Sequence, residues 1–353
     1  MTSHRIESQP TPDLGSLNPL LPPQLDTNYP PLIEDSTALY DLVYNQIQAV
    51  LADIRNSVDL KQKLHTLIEE DWLKRKRRWP YTLLPLLTCA SVGGEWVQAV
   101  GIAAAWSLLH LAARIFDDLA DEGRVLGFTV PLPLGEAMNM AVTLLGLAQQ
   151  LLDGLSEQGV SLAVIHQLRS ELSQVLIQAC TGQHRDIVEM PQASFDVATY
   201  WQVIEGKTGV PFGWACWAGA MVGGSTEEQA VGCRVYGFNL GVLIQLFDDW
   251  AGLGVYRGSS DLALGKKTLP VLYALSVLPA RQREYLEVLL AKAGEHPALA
   301  EEARAEIVRL GGLQYTLIEA EIRRQRALMA LNSLPLEPTR PQLLGLLDRS
   351  FPL

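Results

Sequence analysis

With 353 residues, 48% hydrophobic and 19% charged, the chain has ample material for a core and is long enough for one large domain or two. Its formal net charge of −11 argues against nucleic acid as a partner, and no nucleic-acid motif is present. Any polyanionic ligand must be met by local positive charge or by metal. Cys89, Cys180, Cys216 and Cys233 are widely spaced, with neither a CxxC nor a metal-ligand spacing, which predicts reduced thiols in a cytoplasmic protein.

Residues 1–32 are rich in proline, including Pro22-Pro23 and Pro30-Pro31. They read as a disordered extension without a secretory signal, leaving 33–353 as one helical domain. Residues 33–70 place apolar side chains at helical spacing, with Asp35-Ser36 as an N-cap region. The run WLKRKRRWP at 72–80 is the densest basic stretch. Such runs are more often a solvated charge run at a helix start; the functional alternative is a clamp for phosphate. Pro80 opens a helix that Gly93-Gly94 closes. Residues 99–116 are apolar except Ser107, His110 and Arg114, and then come Asp117, Asp118, Asp121 and Glu122. The run Val97–Ala113 is almost long enough to span a membrane, but His110 and Arg114 in and beside it and the acids that follow predict a buried core helix instead.

A loop at 123–133 leads to helices over 134–155, 161–186 and 197–208. A small-residue apolar segment at 212–222 turns at Gly223-Gly224-Ser225 into a helix over 227–250, again apolar and again tipped by acids, Asp248 and Asp249. A loop rich in Gly and Ser comes next, then Lys266-Lys267-Thr268-Leu269-Pro270 and amphipathic helices through Arg349. No segment alternates as a strand does, so the fold class is all-α, a single large helical bundle.

On a helix, residues four apart share a face, so Asp117 and Asp121 point one way and Asp118 lies about 100° round. Carboxylates this close repel, and at a helix C-terminus they also oppose the macrodipole. One such tip is ordinary as a fraying, solvated end. Two in one chain predict a shared counter-charge. Carboxylate, water and phosphate oxygens suit Mg²⁺.

Taken together and in order, the motifs resemble those of the trans-isoprenyl diphosphate synthases, the polyprenyl synthetase family, from about residue 75 to residue 275. Asp117-Asp118-Leu119-Ala120-Asp121 resembles the family's first aspartate-rich motif, DDxxD. Asp248-Asp249, preceded by Gln245, resembles the second. Gly206-Lys207-Thr208 resembles the lysine–threonine motif, Gly182-Gln183 with Asp186 the GQxxD helix end, and 261–270 (DLALGKKTLP) the segment after the second motif. His110 and the pair Lys76-Arg77 match family positions that hold isopentenyl diphosphate. The resemblance implies an isoprenoid synthase bundle and a Mg²⁺-dependent prenyltransferase, homodimeric and cytoplasmic, with room for peripheral membrane contact but no transmembrane segment. It condenses an allylic diphosphate with isopentenyl diphosphate to give a longer all-trans prenyl diphosphate. Asp117, Asp121 and Asp248 would be metal ligands with Asp118 and Asp249 in support. Lys207, Thr208, Gln245 and Lys266 would be the catalytic residues, with Lys207 and Lys266 contacting the leaving diphosphate. Lys76, Arg77, His110, Arg124 and Gln183 would bind substrate. Small Ala112 and Ala113 imply a tunnel open to a C20 or longer product, with Leu109 and Trp106 as its floor.

The sequence departs from the family pattern in places. The loop after Asp121 has only Arg124 where two arginines are usual, with Leu126-Gly127-Phe128 in the pair's place. Trp79 replaces an arginine, Gly252 replaces the third acid of the second motif, and Ala141-Val142 stands where Gly-Asp is common. Arg114 takes an apolar position and is expected to bridge to the acids. A terpene cyclase, a prenyltransferase to another acceptor and a non-catalytic subunit therefore stay open as alternatives.

Overall fold

The computed structural model describes residues 36–55, 57–78, 80–129, 132–190, 192, 194–253, 261–335 and 339–351, without the side chains of 36, 37 and 75–78. The proline-rich extension and Asp35 lie outside these residues. Among them there is no strand. The helices are α1 (Ser36–Ala52), α2 (Val58–Arg78), α3 (Leu84–Ser91), α4 (Val100–Glu122), α5 (Leu134–Asp153), α6 (Leu162–Glu189), α7 (Val197–Ile204), α8 (Val210–Val222), α9 (Glu227–Gly252), α10 (Leu269–Val277), α11 (Ala280–Lys292), α12 (Pro297–Arg309), α13 (Gly312–Ala330) and α14 (Arg340–Ser350).

Local chemistry sets the ends. Ser161 and Asp196 accept backbone N–H bonds as N-caps of α6 and α7, and Thr226 with Gln229 forms a capping box on α9. Gly123, at φ 65°, ends α4 directly after its acids. The basic run closes α2 rather than starting a helix, which places its charge where the macrodipole favours it.

Helix α8 lies at the centre, packed on α3, α4, α6 and α9. Its seam with α9 is made by residues without side chains: a Cβ on Gly237 would stand 2.4 Å from the Phe212 carbonyl oxygen. That approach lets the acid-tipped α9 lie close along α8. The core around it includes Leu84, Ile102, Leu108, Trp214, Tyr236 and Leu246, all buried. A second apolar cluster joins Leu253, Val271, Leu286 and Ile307 near the C-terminal helices. The stretches Trp96–Glu122 and Glu227–Gly252 are long and apolar enough to cross a membrane by length and composition, yet 78% and 61% of their apolar windows are buried within the bundle.

The segment expected from the sequence to break between 208 and 212 is instead continuous. Helix α7 passes through a π-helical turn, Glu205–Gly209, directly into α8, and the Val210 N–H reaches back five residues to the Glu205 carbonyl. Pro211 lacks the N–H that an unbroken α-helix would direct at Lys207, and the wider turn absorbs that gap.

Candidate active site

The two acid tips meet at one mouth of the bundle. Lys207 projects from the π turn and places its ammonium 2.6 Å from Asp117 Oδ1 and 3.0 Å from Asp186 Oδ2. Gln183 donates to the same Asp117 oxygen at 3.2 Å. The turn can come this near to α6 because a Cβ on Gly182 would meet the Lys207 backbone nitrogen at 2.8 Å. On the other side Lys266, from the loop before α10, lies 2.7 Å from Asp121 Oδ2. Burial disfavours both ammonium charges, but the facing carboxylates outweigh it and hold both lysine pKa values above the ordinary range. Thr208 Oγ1 lies 3.4 Å from Gln245 Oε1. Asp248 is exposed to the same mouth, where it lines one pocket with Asp117, Lys207 and Lys266.

Asp118 and Asp249, expected in support of the metal ligands, are both engaged by the chain itself. Asp118 accepts the Leu126 N–H at 2.9 Å and so ties down the loop after α4. Asp249 is buried, 5% exposed, and both its oxygens are committed. The Tyr200 hydroxyl donates to it at 2.6 Å, the Leu269 N–H at 3.3 Å and Gln245 Nε2 at 2.9 Å. Burial pushes its pKa up to about 6, against the pull of these hydrogen bonds. At the buried wall of the mouth it fixes Gln245 and the start of α10. At the third-acid position, a Cβ on Gly252 would lie 1.9 Å from Asp261 Oδ2. The Asp261 carboxylate thus fills the space that a side chain there would take.

Arg114 takes Asp71 as its ion-pair partner, and its charge also favours the ionised form of Asp118 in the acid tip. Its guanidinium lies 2.9 Å from buried Asp71 on α2 and 5.1 Å from the centre of the Phe128 ring. Lys74 lies 4.9 Å from the same ring and donates to the Gly127 carbonyl. The loop that lacks the arginine pair is therefore pinned onto α2. Arg124 is exposed beyond the end of α4. Lys76 and Arg77 belong to the last turn of α2, and their side chains lie outside the described residues.

Below the acids lies a cavity of about 360 Å³. Ala113, Leu109, Leu172, Leu176, Ile244 and His110 line it, with Trp106, Phe212 and Trp214 as aromatic walls. Leu109 and Trp106 line it as expected, and so does Ala113. Ala112 faces away and is fully buried, because one residue turns a helix about 100°. Trp106 is fixed by its indole N–H donating to the Tyr81 carbonyl at 3.1 Å and by an edge contact with Phe212, centroids 5.0 Å apart. Phe212 and Trp214 escaped the sequence reading, because the π turn shifts the helical register before them. Tyr200 carried no signal in the sequence at all.

Comparison with known proteins places this arrangement. The profile of the family described as Polyprenyl synthetase matches residues 80–307. The octaprenyl diphosphate synthase of Haemophilus influenzae is 28% identical, covering 86% of this chain and 93% of its own. The geranylfarnesyl diphosphate synthase of Aeropyrum pernix is 30% identical, covering 75% and 86%. The geranylgeranyl pyrophosphate synthetase structure from Pyrococcus horikoshii matches with a TM-score of 0.79 at 20% identity, over 91% of this chain and 100% of that one, which is a likeness of fold.

The buried acid gives a pH test. A carboxyl whose native pKa is raised stabilises the fold fully below its unfolded pKa, near 4, and loses that contribution as pH rises through about 6. Asp249→Asn cannot ionise. Its stability relative to the parent should rise between pH 4 and pH 7 by on the order of 3 kcal/mol. Urea denaturation across that range measures the difference; a gap that stays constant with pH would show that Asp249 does not titrate there.

Proposed function

This chain belongs to the polyprenyl synthetase family and is a trans-prenyltransferase, and from that premise we propose that it elongates an allylic diphosphate with isopentenyl diphosphate, giving an all-trans prenyl diphosphate of C20 or longer. One observation carries the reading: Lys207 and Lys266 close on Asp117 and Asp121 above an apolar cavity that Asp248 also borders.

The donor set fits Mg²⁺. Asp117, Asp121 and Asp248 offer hard oxygens, and the two ammonium groups already mark where positive charge is stable. Mg²⁺ takes one or two carboxylates and completes its shell with water and phosphate. Bound there, Mg²⁺ supplies charge neutralisation to a leaving diphosphate.

The chain's own residues do the rest. Lys207 and Lys266 exchange carboxylate partners for diphosphate oxygens and so favour cleavage of the allylic C–O bond. Gln183 holds Asp117 in place, and Asp249 holds Gln245 beside Thr208. The cavity takes the prenyl tail and keeps water from the cation, whose charge the rings of Trp106, Phe212 and Trp214 face. Ala113 leaves the upper wall open. His110, on that wall, joins Lys76, Arg77 and Arg124 in the proposed isopentenyl diphosphate site.

A second reading, ionisation followed by cyclisation, draws on the loop after α4. There Phe128 sits against Arg114 and Lys74, cations committed to Asp71 and to the Gly127 carbonyl. Incubation with Mg²⁺ and geranyl, farnesyl or geranylgeranyl diphosphate, with and without isopentenyl diphosphate, separates the two by mass spectrometry. Elongation predicts longer diphosphates only when isopentenyl diphosphate is present. Hydrocarbons or alcohols formed without it would replace that reading with the cyclase. Neither product class should appear with Asp117→Ala.

We also propose a homodimer in the cytoplasm. Leu134, Met138 and Val142 recur every fourth residue on α5, each about half exposed, as an apolar stripe. All four cysteines are free, which supports a reducing compartment. Val142→Glu should halve the mass measured by light scattering; an unchanged mass would exclude this stripe as the interface.

A further inference from the structure

We infer that Arg323, on α13, is a positioning residue for Lys207; the inference rests on the reading that Lys207 grips a diphosphate. Arg323 is 7% exposed, a costly place for a guanidinium. It is held by two contacts. Its Nη2 donates to Glu205 Oε1 at 2.8 Å, and its Cζ lies 4.6 Å from the centre of the Trp201 ring on α7.

Both contacts bear on the π turn. Trp201 belongs to the helix that enters it. Glu205 is its first residue, and the Glu205 carbonyl accepts the five-residue bond from Val210 that defines the wider turn. The same residue thus starts the turn with its backbone and is anchored from α13 by its carboxylate. A π turn holds one residue more than an α turn, and short π segments persist where neighbours hold them. Were the chain to relax to α-helical register here, every side chain after Glu205 would rotate by about 100°. Lys207 would then leave the space between Asp117 and Asp186. Arg323 lies on neither acid-tipped helix; its guanidinium bonds Glu205, and its charge also acts on Tyr200, the donor to Asp249.

The test is a double-mutant cycle read by calorimetric binding of inorganic diphosphate in Mg²⁺, alongside steady-state kinetics. Arg323→Met keeps the apolar stem against Trp201 and removes the charge. It should weaken diphosphate binding about tenfold and raise KM for the allylic diphosphate, leaving KM for isopentenyl diphosphate unchanged. Arg323→Lys should recover most of the loss, since an ammonium can still meet Glu205. In a Lys207→Ala background, Arg323→Met should cost nothing further. Losses that multiply in the double variant, or equal shifts in both KM values, would overturn the inference and leave Arg323 a general stabiliser. A parent protein that binds diphosphate through this cycle but does not elongate refutes the proposed reaction and leaves the inference standing. One that binds no diphosphate overturns both.

Discussion

The structure turns on a local excess of negative charge. Two long apolar helices, α4 and α9, end at the same mouth with carboxylates that repel each other and oppose their own helix dipoles. Such an arrangement persists only with cations supplied from elsewhere in the chain. The fold delivers Lys207 on a π turn and Lys266 on the loop before α10. Much of the backbone design serves that delivery: the glycine contact between α6 and the turn, the close seam of α8 on α9, and the wider turn that accommodates the N–H missing at Pro211. Ammonium groups poised on carboxylates can change partners when a diphosphate arrives, which a rigid metal cage would not allow.

Neighbouring acids with the same chemistry have opposite fates. Asp248 opens to the mouth, whereas Asp249, one residue on, is buried under Tyr200 and holds Gln245 and the N-terminus of α10. Asp117 and Asp121 share a face toward the lysines, whereas Asp118 accepts a backbone N–H from its own loop. The 100° step of the helix divides each pair into one acid for the cleft and one for the frame. Cleft acids must stay accessible and exchangeable; frame acids must be satisfied internally, because an unpaired buried carboxylate is costly.

Period and spacing account for the part of the molecule that was legible in the sequence. Apolar periodicity was enough for an all-helical bundle, and the four-residue step was enough to put Asp117 and Asp121 on one face. The family was readable from the order of its motifs along the chain, as the match over 80–307 shows; the same order singled out Lys207 and Lys266, which the fold brings to the acids. The hidden part depended on contacts between distant segments or on a slip of register. Arg114 was expected to relieve the acids above it; its charge does act on Asp118, but its ion-pair partner is Asp71 on α2, which the sequence did not announce. Ala112 was assigned to the tunnel wall and faces the core, while Phe212 and Trp214, past the π turn, line it. Gly252 read as a missing acid, and nothing local announced that Asp261 would fold back into its space.

The most direct measurement is a crystal structure with Mg²⁺ and inorganic diphosphate. The exchange of partners at the mouth predicts diphosphate oxygens on Lys207 and Lys266, with both ammonium groups moved off Asp117 and Asp121, and metal on Asp117, Asp121 and Asp248. Lysines that remain on their carboxylates while diphosphate binds elsewhere, or diphosphate bound at the mouth without metal on those acids, would contradict it.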